Sequence, residues 1–118
     1  MPFWTDLKKD FVLLSHQGEV TLQEAAAARI EMLRLVRLNN LSKVVIDVRN
    51  VTGEADPSDL RTLMEENAKV EPPRPHAAIV VRDDQYAQFK FIEDFAVSRG
   101  MPIRVFTNER EAFDWLVD

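Results

Sequence analysis

Residues 44–60, VVIDVRNVTGEADPSDL, join an apolar segment, a polar segment and the start of a helix. The first five residues are apolar and mostly β-branched apart from Asp47, which is typical of a strand that is covered on both faces. Asp56 and Pro57 fit the N-cap and the first position of a helix. The stretch therefore predicts the central strand of a sheet, a loop over residues 50–55 and a helix, with the rest of the chain packed around them.

Signals for strands and helices alternate along the rest of the chain. Thr21 and Glu24 have the spacing of a capping box, which predicts a helix over residues 22–38. Asp83 and Asp84 are predicted to cap a helix that ends before Gly100. The other predicted elements are one strand or two within residues 3–18, strands at residues 77–81 and 101–106, a helix from residue 57, and a short C-terminal helix with a capping box at residues 108–111. This order predicts an α/β sandwich with at least three parallel strands and an antiparallel N-terminal edge.

The composition is that of a soluble globular protein. The 118 residues are 46% hydrophobic and 30% charged, which fits a single domain over residues 1–118. Twenty acidic residues against fifteen basic ones give a net charge of −5, so we do not expect nucleic acid as a partner. The lack of cysteine excludes disulfides and thiolate sites and favours a cytoplasmic location. No apolar run approaches the roughly 20 residues of a membrane span.

Three stretches carry a resemblance to a known family. They are FVLL at residues 11–14 followed by GEVT at residues 18–21, the stretch at residues 44–60, and GMPIRVFTNEREAFDWL at residues 100–116. On these residues, in this order, the chain resembles the STAS domain, named for sulphate transporters and anti-sigma-factor antagonists, and more closely its SpoIIAA-like branch of small stand-alone proteins. The resemblance covers nearly the whole chain. It implies an α/β fold with a mixed sheet of four or five strands and about four helices mainly on one face.

The resemblance also implies a regulatory hydroxyl group. In anti-sigma-factor antagonists, a kinase partner phosphorylates the serine or threonine of an Asp-Ser-Ser/Thr-Gly motif at a helix N-terminus. The matching residues here are 56–60, DPSDL, in which Ser58 fits the phosphoacceptor position while Pro57 and Asp59 replace the small residue and the glycine. A phosphate would add about 1.5 to 2 negative charges beside acidic neighbours such as Glu54. We favour Ser58 as an ordinary early-helix serine, with a phosphoacceptor as the alternative.

The end of the central strand and the loop after it are the predicted binding surface. Asp47 lies near the carboxyl end of its strand, where α/β proteins often place ligand-binding groups. The favoured alternative is a structural carboxylate paired with Arg49 or Arg82, because burying an unpaired charge is costly. The residues that we expect to bind a partner or ligand are Asp47, Asn50, Thr52, Gly53, Asp56 and Ser58.

The helix before Gly100 carries more aromatic side chains than one face buries easily. Two phenylalanines project about a third of a turn or more away from its apolar stripe of Tyr86, Phe89, Ile92 and Ala96. One interpretation is a wide core face, with Phe95 near Trp115 of the C-terminal helix. The other is an apolar binding surface for a homodimer partner, a regulator or an apolar ligand between this helix and the sheet, formed by Tyr86, Phe89, Phe91 and Phe95.

No sequence pattern points to catalysis. His16 and His76 are the only histidines and lack the spacing of metal ligands, and the three glycines stand too far apart for a GxGxxG or GxxxxGK loop. We therefore expect no metal, no cofactor and no enzymatic activity. The predicted function is that of a regulatory or adaptor domain that binds a protein partner. The alternative is a carrier of a small apolar ligand or lipid.

Overall fold

Strands and helices alternate after an N-terminal pair of strands. The computed structural model describes residues 3–53, 56–69 and 74–117. Its elements are β1 (Phe3–Leu7), β2 (Val12–Gly18), α1 (Leu22–Leu38), β3 (Lys43–Val51), α2 (Pro57–Ala68), β4 (His76–Val80), a 3-10 turn (Asp83–Gln85), α3 (Tyr86–Ser98), β5 (Ile103–Phe106) and α4 (Glu109–Val117). Of the two alternatives for residues 3–18, the chain forms two strands.

The five strands form one sheet in the order β1-β2-β3-β4-β5. β2 to β5 are parallel, and β1 pairs antiparallel with β2 at one edge. β3 occupies the centre, where Val44 and Val45 are 0% and 1% exposed. The predicted α/β fold, with its mixed sheet, antiparallel edge and central strand, is confirmed.

The helices are divided unequally between the two faces of the sheet. Val44 and Val48 of β3 face the layer made by α1, α2 and α3, whereas Val45 faces α4. Successive side chains of a strand point to opposite faces, so β3 is buried on both sides and its sequence is apolar throughout its first half. Three helices on one face and one on the other agree with the expected arrangement.

Three of the predicted helix caps are present. The Thr21 hydroxyl accepts a hydrogen bond from the backbone N–H of Glu24 at 3.1 Å. The Asp56 carboxylate accepts from the N–H of Ser58 at 2.8 Å. Asn108 likewise caps α4, its side-chain oxygen accepting from the N–H of Glu111 at 3.1 Å. Each cap satisfies a backbone donor that the first helical turn leaves free.

The predicted cap at Asp83 and Asp84 is wrong. Both residues lie inside the 3-10 turn, and none of the side chains that the structure describes caps α3. The backbone N–H of Arg82 donates instead to the side-chain oxygen of Gln85 at 2.8 Å. Asp84 pairs with the Arg82 guanidinium, with 2.9 Å between Oδ1 and Nε.

β3 is longer than predicted. The sequence places the end of the strand near Val48 and a loop at residues 50–55, whereas β3 continues to Val51. Residues 54 and 55 of the predicted loop, including Glu54, lie outside the described part of the chain. The extra length depends on hydrogen bonds from residues distant in sequence, which determine the geometry of the candidate site.

Candidate functional site

The end of β3 extends beyond its neighbour β4. Pairing with β4 ends at Asp47, whereas pairing with β2 continues to Val51. Side chains take the place of the missing strand: Gln85 Nε2 donates to the carbonyl oxygen of Val48 at 3.0 Å, and Arg82 Nη1 donates to that of Val51 at 3.1 Å. These bonds satisfy backbone acceptors beyond the end of the β3–β4 ladder. They therefore hold the point at which the chain leaves the sheet towards α2.

Asp84 and the backbone of β3 hold the Arg82 guanidinium from two sides. Arg82 also donates to the carbonyl oxygen of Arg49, and its Nη2 lies 3.3 Å from Asp84 Oδ2. The hydrogen bonds from Arg82 lower the pKa of Asp84 below its ordinary value, so the carboxylate is charged at neutral pH. The start of the 3-10 turn and the end of β3 are thus joined through one side chain.

Asp47 has the structural partner that the sequence favoured. Arg49 Nε lies 3.1 Å from Asp47 Oδ1, its Nη2 lies 2.9 Å from Oδ2, and its backbone N–H donates to Oδ1 at 3.0 Å. Burial raises the pKa of Asp47, but these hydrogen bonds outweigh it and the pKa lies below the ordinary value. The pairing with Arg49 is confirmed, and it makes Asp47 a support of the β3 end.

The first turn of α2 presents the candidate phosphoacceptor to solvent. Ser58 is exposed, and its carbonyl oxygen accepts a hydrogen bond from Thr62 Oγ1 at 3.0 Å. The Asp56 carboxylate already accepts the Ser58 N–H, one of the free amides that would favour a phosphate at the positive end of the helix. A phosphate on Ser58 would therefore compete with Asp56 for this position.

The turn between β3 and α2 exposes most of the remaining predicted residues. Asn50, Thr52 and Gly53 are exposed, while the backbone N–H of Thr52 donates to the carbonyl oxygen of Gly18 at 3.0 Å. Gly53 has a φ of +76°, a conformation that strongly favours glycine. Residues 50–53 and 56–59 together form a polar surface that we call the β3–α2 surface.

A cavity of about 470 Å³ opens between α1, α2 and the sheet. Small-molecule sites have volumes of roughly 300–1,000 Å³. Its apolar lining residues include Leu14, Met32, Ile46, Val48, Leu60, Leu63, Met64, Ile79, Phe89 and Ile92. The pocket predicted between α3 and the sheet is thus displaced towards α1 and α2. α3 contributes Phe89 and Ile92, whereas Phe91 and Phe95 do not line the cavity.

The cavity opens beside the β3–α2 surface. Thr52, Gly53, Asp56 and Asp59 belong to both, and Glu19 adds a third carboxylate to the lining. The mouth of an apolar cavity therefore lies next to the surface on which the sequence places partner binding. A molecule in the cavity would contact the same turn as a protein docked outside.

His16 is the most buried titratable side chain of the cavity wall. It lies where the register of β2 against β3 shifts, is 8% exposed, and its Nδ1 has no hydrogen-bond partner among the described residues. Burial lowers the pKa of His16 from 6.5, and the nearby Glu24 carboxylate offsets only part of this effect. The imidazole is therefore neutral at physiological pH.

Arg29 joins the two helices that flank the cavity. Its Nη1 donates to Asn67 Oδ1 of α2 at 3.2 Å, while its Nε is buried without a partner in the described part of the chain. The sequence prediction missed both Arg29 and the cavity role of His16. No local pattern in the sequence marks either residue, and of the four alanines at residues 25–28 only Ala25 lines the cavity.

The aromatic residues of α3 do not form one continuous surface. Phe89 is buried, whereas Tyr86 and Phe91 are 39% and 41% exposed. Phe95 packs against the core between α2, α3 and the sheet, with the Arg99 guanidinium 4.7 Å from its ring centre. The expected contact of Phe95 with Trp115 is wrong, because α4 lies on the other face of the sheet.

No group of three histidine, cysteine or acidic side chains among residues 3–53, 56–69 and 74–117 is arranged to hold a metal ion. No helix in these ranges is long and apolar enough to cross a membrane.

Two solved structures share this arrangement of strands and helices. An anti-sigma factor antagonist from Mycobacterium paratuberculosis has a TM-score of 0.63 and 17% sequence identity, and the match covers 98% of this chain and 93% of that one. The chain has a SpoIIAA-like fold. A second structure with that fold, an uncharacterized protein from Shewanella loihica, has a TM-score of 0.59 and 17% identity, with 97% and 91% of the two chains covered. No family model and no curated protein matches the sequence.

The SpoIIAA-like fold confirms the resemblance at the level of the fold. In this chain it brings the start of α2, the end of β3 and the cavity mouth together at one edge of the sheet. The sequence predicted the first two as neighbours along the chain. The third depends on the packing of α1 against α2.

Proposed function

We propose that this domain is a non-catalytic regulatory module that binds a protein partner through the β3–α2 surface. The supporting observation is the combination of a fixed backbone and exposed polar side chains. Arg82 and Gln85 hold the end of β3 by hydrogen bonds, while Asn50, Thr52 and Ser58 point into solvent. A surface that is ordered before binding loses less conformational entropy when a partner docks.

The charge of this surface defines the kind of partner. Asp56 caps α2, Asp59 lies in its first turn, and the whole chain carries a net charge of −5. Complementary potentials accelerate association and select between partners. The partner therefore presents a basic patch, and its association slows as salt concentration rises.

Quantitative binding to the partner tests this proposal. The tagged full-length chain is used to isolate a stable complex from its own cells, and the isolated partner is then titrated against variants. Ser58→Asp adds a charge on the proposed surface, and Asp56→Asn removes one while keeping a good N-cap residue. Both variants should change the dissociation constant by severalfold or more.

Two control variants make the same substitutions, Ser to Asp and Asp to Asn, outside the β3–α2 surface. Ser42→Asp lies at the other end of β3, and Asp114→Asn lies on α4, on the opposite face of the sheet; both positions are exposed. These variants should bind as the unmodified chain does. Equal affinities for all five proteins would contradict docking through the β3–α2 surface.

The cavity favours a second candidate function, that of a carrier of a small apolar ligand. Its volume of about 470 Å³ and its walls of leucine, isoleucine, valine and methionine match the chemistry of small-molecule sites. Ala25 of α1 lines this cavity, whereas Ala27 of the same helix is exposed and does not.

A filled cavity tests the carrier function without changing the β3–α2 surface. Ala25→Phe should abolish uptake of an apolar fluorescent probe, because the new ring occupies the ligand volume. Ala27→Phe is the control and should take up the probe normally. Equal uptake by both variants, or no uptake by the unmodified chain, would contradict the carrier function.

A further inference from the structure

The cavity contains a cation that lacks a counter-ion in the described structure. Arg29 makes no ion pair with a described carboxylate, and its one hydrogen bond between side chains goes to the neutral amide of Asn67. Its Nε is buried and has no hydrogen-bond partner among residues 3–53, 56–69 and 74–117. A guanidinium carries five N–H donors in a planar fork that fits a carboxylate. Arg29 thus has unused donors of the kind that recognise an anion.

A second buried nitrogen of the same cavity is also unpartnered. His16 lines the cavity, more than nine-tenths of the residue is buried, and its Nδ1 has no hydrogen bond among the described residues. Native proteins rarely leave such atoms unsatisfied. Two unpartnered nitrogen groups beside the apolar side chains of this cavity indicate a ligand with polar atoms as well as an apolar body.

We propose that the cavity binds a monocarboxylic amphiphile whose carboxylate bonds to Arg29 and whose chain lies against Ile46, Val48 and Leu63. This inference rests on the carrier function and adds the chemical class of the ligand. The volume of about 470 Å³ has room for roughly fifteen non-hydrogen atoms at about 30 Å³ for each water-sized group. A saturated acid with about twelve carbons therefore fits.

The acidic mouth of the cavity favours the opposite ligand orientation, with a positive head group at the entrance. Glu19, Asp56 and Asp59 line the cavity, and they would attract a positive head group left at the entrance. The two orientations differ in the sign of the preferred charge. Arg29 selects a negative head group inside, whereas the three carboxylates select a positive one outside.

Calorimetric titration with three amphiphiles of equal chain length distinguishes these orientations. Dodecanoate, 1-dodecanol and dodecyltrimethylammonium are each titrated below the concentration at which they form micelles. Dodecanoate should bind at least about tenfold more tightly than the other two, as expected for a charge-assisted bidentate contact. Tighter binding of the cationic amphiphile would overturn the assignment of the head group to Arg29.

Substitution of Arg29 identifies the contact. Arg29→Gln should abolish the preference for dodecanoate over 1-dodecanol and leave the affinity for 1-dodecanol within about twofold, because the apolar walls are unchanged. Arg61→Gln, which removes an exposed arginine of α2, is the matched control and should keep the full preference. Arg29→Lys keeps the charge and should retain part of it, which provides a second test if the glutamine variant is poorly folded.

The outcomes separate this inference from the carrier function on which it rests. If 1-dodecanol binds as tightly as dodecanoate, or if both Arg29 variants keep the preference of the unmodified chain, the carboxylate assignment is wrong and the carrier function stands. If none of the three amphiphiles binds, both fail.

Discussion

The Arg82 guanidinium donates a hydrogen bond to the carbonyl oxygen of Val51 across 31 residues of chain, with 3.1 Å between Nη1 and the oxygen. This bond lies where β3 no longer pairs with β4. At this end of the central strand, a charged side chain thus supplies a hydrogen bond that a neighbouring strand would otherwise supply. The β3–α2 surface and the cavity mouth both begin at this point, so their geometry depends on Arg82.

Replacement of Arg82 should loosen the end of β3. Arg82→Gln removes the bonds to the carbonyl oxygens of Val51 and Arg49 and should lower the free energy of unfolding by about 1–3 kcal/mol. The backbone N–H of Thr52, which donates to Gly18 beside this point, should exchange with deuterium faster. Urea denaturation and hydrogen exchange measure the two effects.

The control for this change is Arg34→Gln. Arg34 pairs with Glu31 on the exposed face of α1, where solvent screens the interaction. This variant should unfold at nearly the same urea concentration as the unmodified chain and should leave exchange at Thr52 unchanged. Similar destabilisation by both substitutions would show that the bonds from Arg82 contribute no more than a surface ion pair.

The cap of α2 should stabilise the domain independently of any partner. Asp56→Ala leaves the N–H of Ser58 without its acceptor and should lower the free energy of unfolding by about 0.5–2 kcal/mol. Asp56→Ser should restore most of the loss, because serine caps helices well. Asp59→Ala is the control, since Asp59 accepts no cap bond from the first turn in the described structure. Thermal unfolding in parallel ranks the four proteins, and a similar loss for Asp59→Ala would contradict the capping role.

Local signals in the sequence predicted much of the fold. A cap depends on a few adjacent residues, so Thr21, Asp56 and Asn108 were sufficient to locate three helix starts. Apolar runs located β3 and β4, because parallel central strands are buried on both faces. The predicted cap at Asp83 failed for a nonlocal reason: Arg82 binds Asp84 and the distant end of β3, and a 3-10 turn precedes α3.

The geometry of the candidate site could not be predicted from the sequence, because it depends on contacts between separate strands and helices. Asn50 is polar and was predicted to begin the loop, yet β3 includes it because pairing with β2 continues to Val51. Arg82 and Gln85 satisfy carbonyl groups that β4 does not reach. The cavity arises from the separation of α1 and α2, which no local pattern specifies. Arg29 appears in the sequence as one more charged helical residue. Only the packed structure shows that it faces the cavity.

Glu93 should stabilise β5, the edge strand of the sheet. Its Oε1 accepts the backbone N–H of Val105 at 2.9 Å, and Lys90 donates to its other oxygen. Glu93→Ala leaves the Val105 donor unpaired and should lower the free energy of unfolding by about 1.5–3 kcal/mol. Glu93→Gln, which keeps an acceptor, should have a smaller effect. Urea denaturation at neutral pH measures both.

The neighbouring Asp94 provides the control and pH provides a second test. Asp94 is exposed and also pairs with Lys90, at 3.5 Å, so Asp94→Ala should change stability less. Burial raises the pKa of Glu93, but the bonds from Lys90 and Val105 outweigh it and hold the pKa below 4.5. The stabilisation from Glu93 is therefore fully present above pH 4.5. It is lost as the pH falls through the lower pKa that Glu93 has in the folded chain. A difference between the unmodified chain and Glu93→Ala that stays constant in acid would contradict this role.

His16 should make the domain less stable in weakly acidic solution. Burial holds its pKa below 6.5 in the folded chain despite the nearby Glu24, whereas the unfolded chain takes up a proton near 6.5. The unfolded state therefore binds more protons as pH falls from 6.5 towards the folded value, and stability decreases across this window. His16→Gln lacks this proton uptake, so its free energy of unfolding should fall less between about pH 7.5 and about pH 5. His76→Gln, at the exposed start of β4, should keep the full decrease, and parallel curves for His16→Gln and the unmodified chain would show that His16 is not the group responsible.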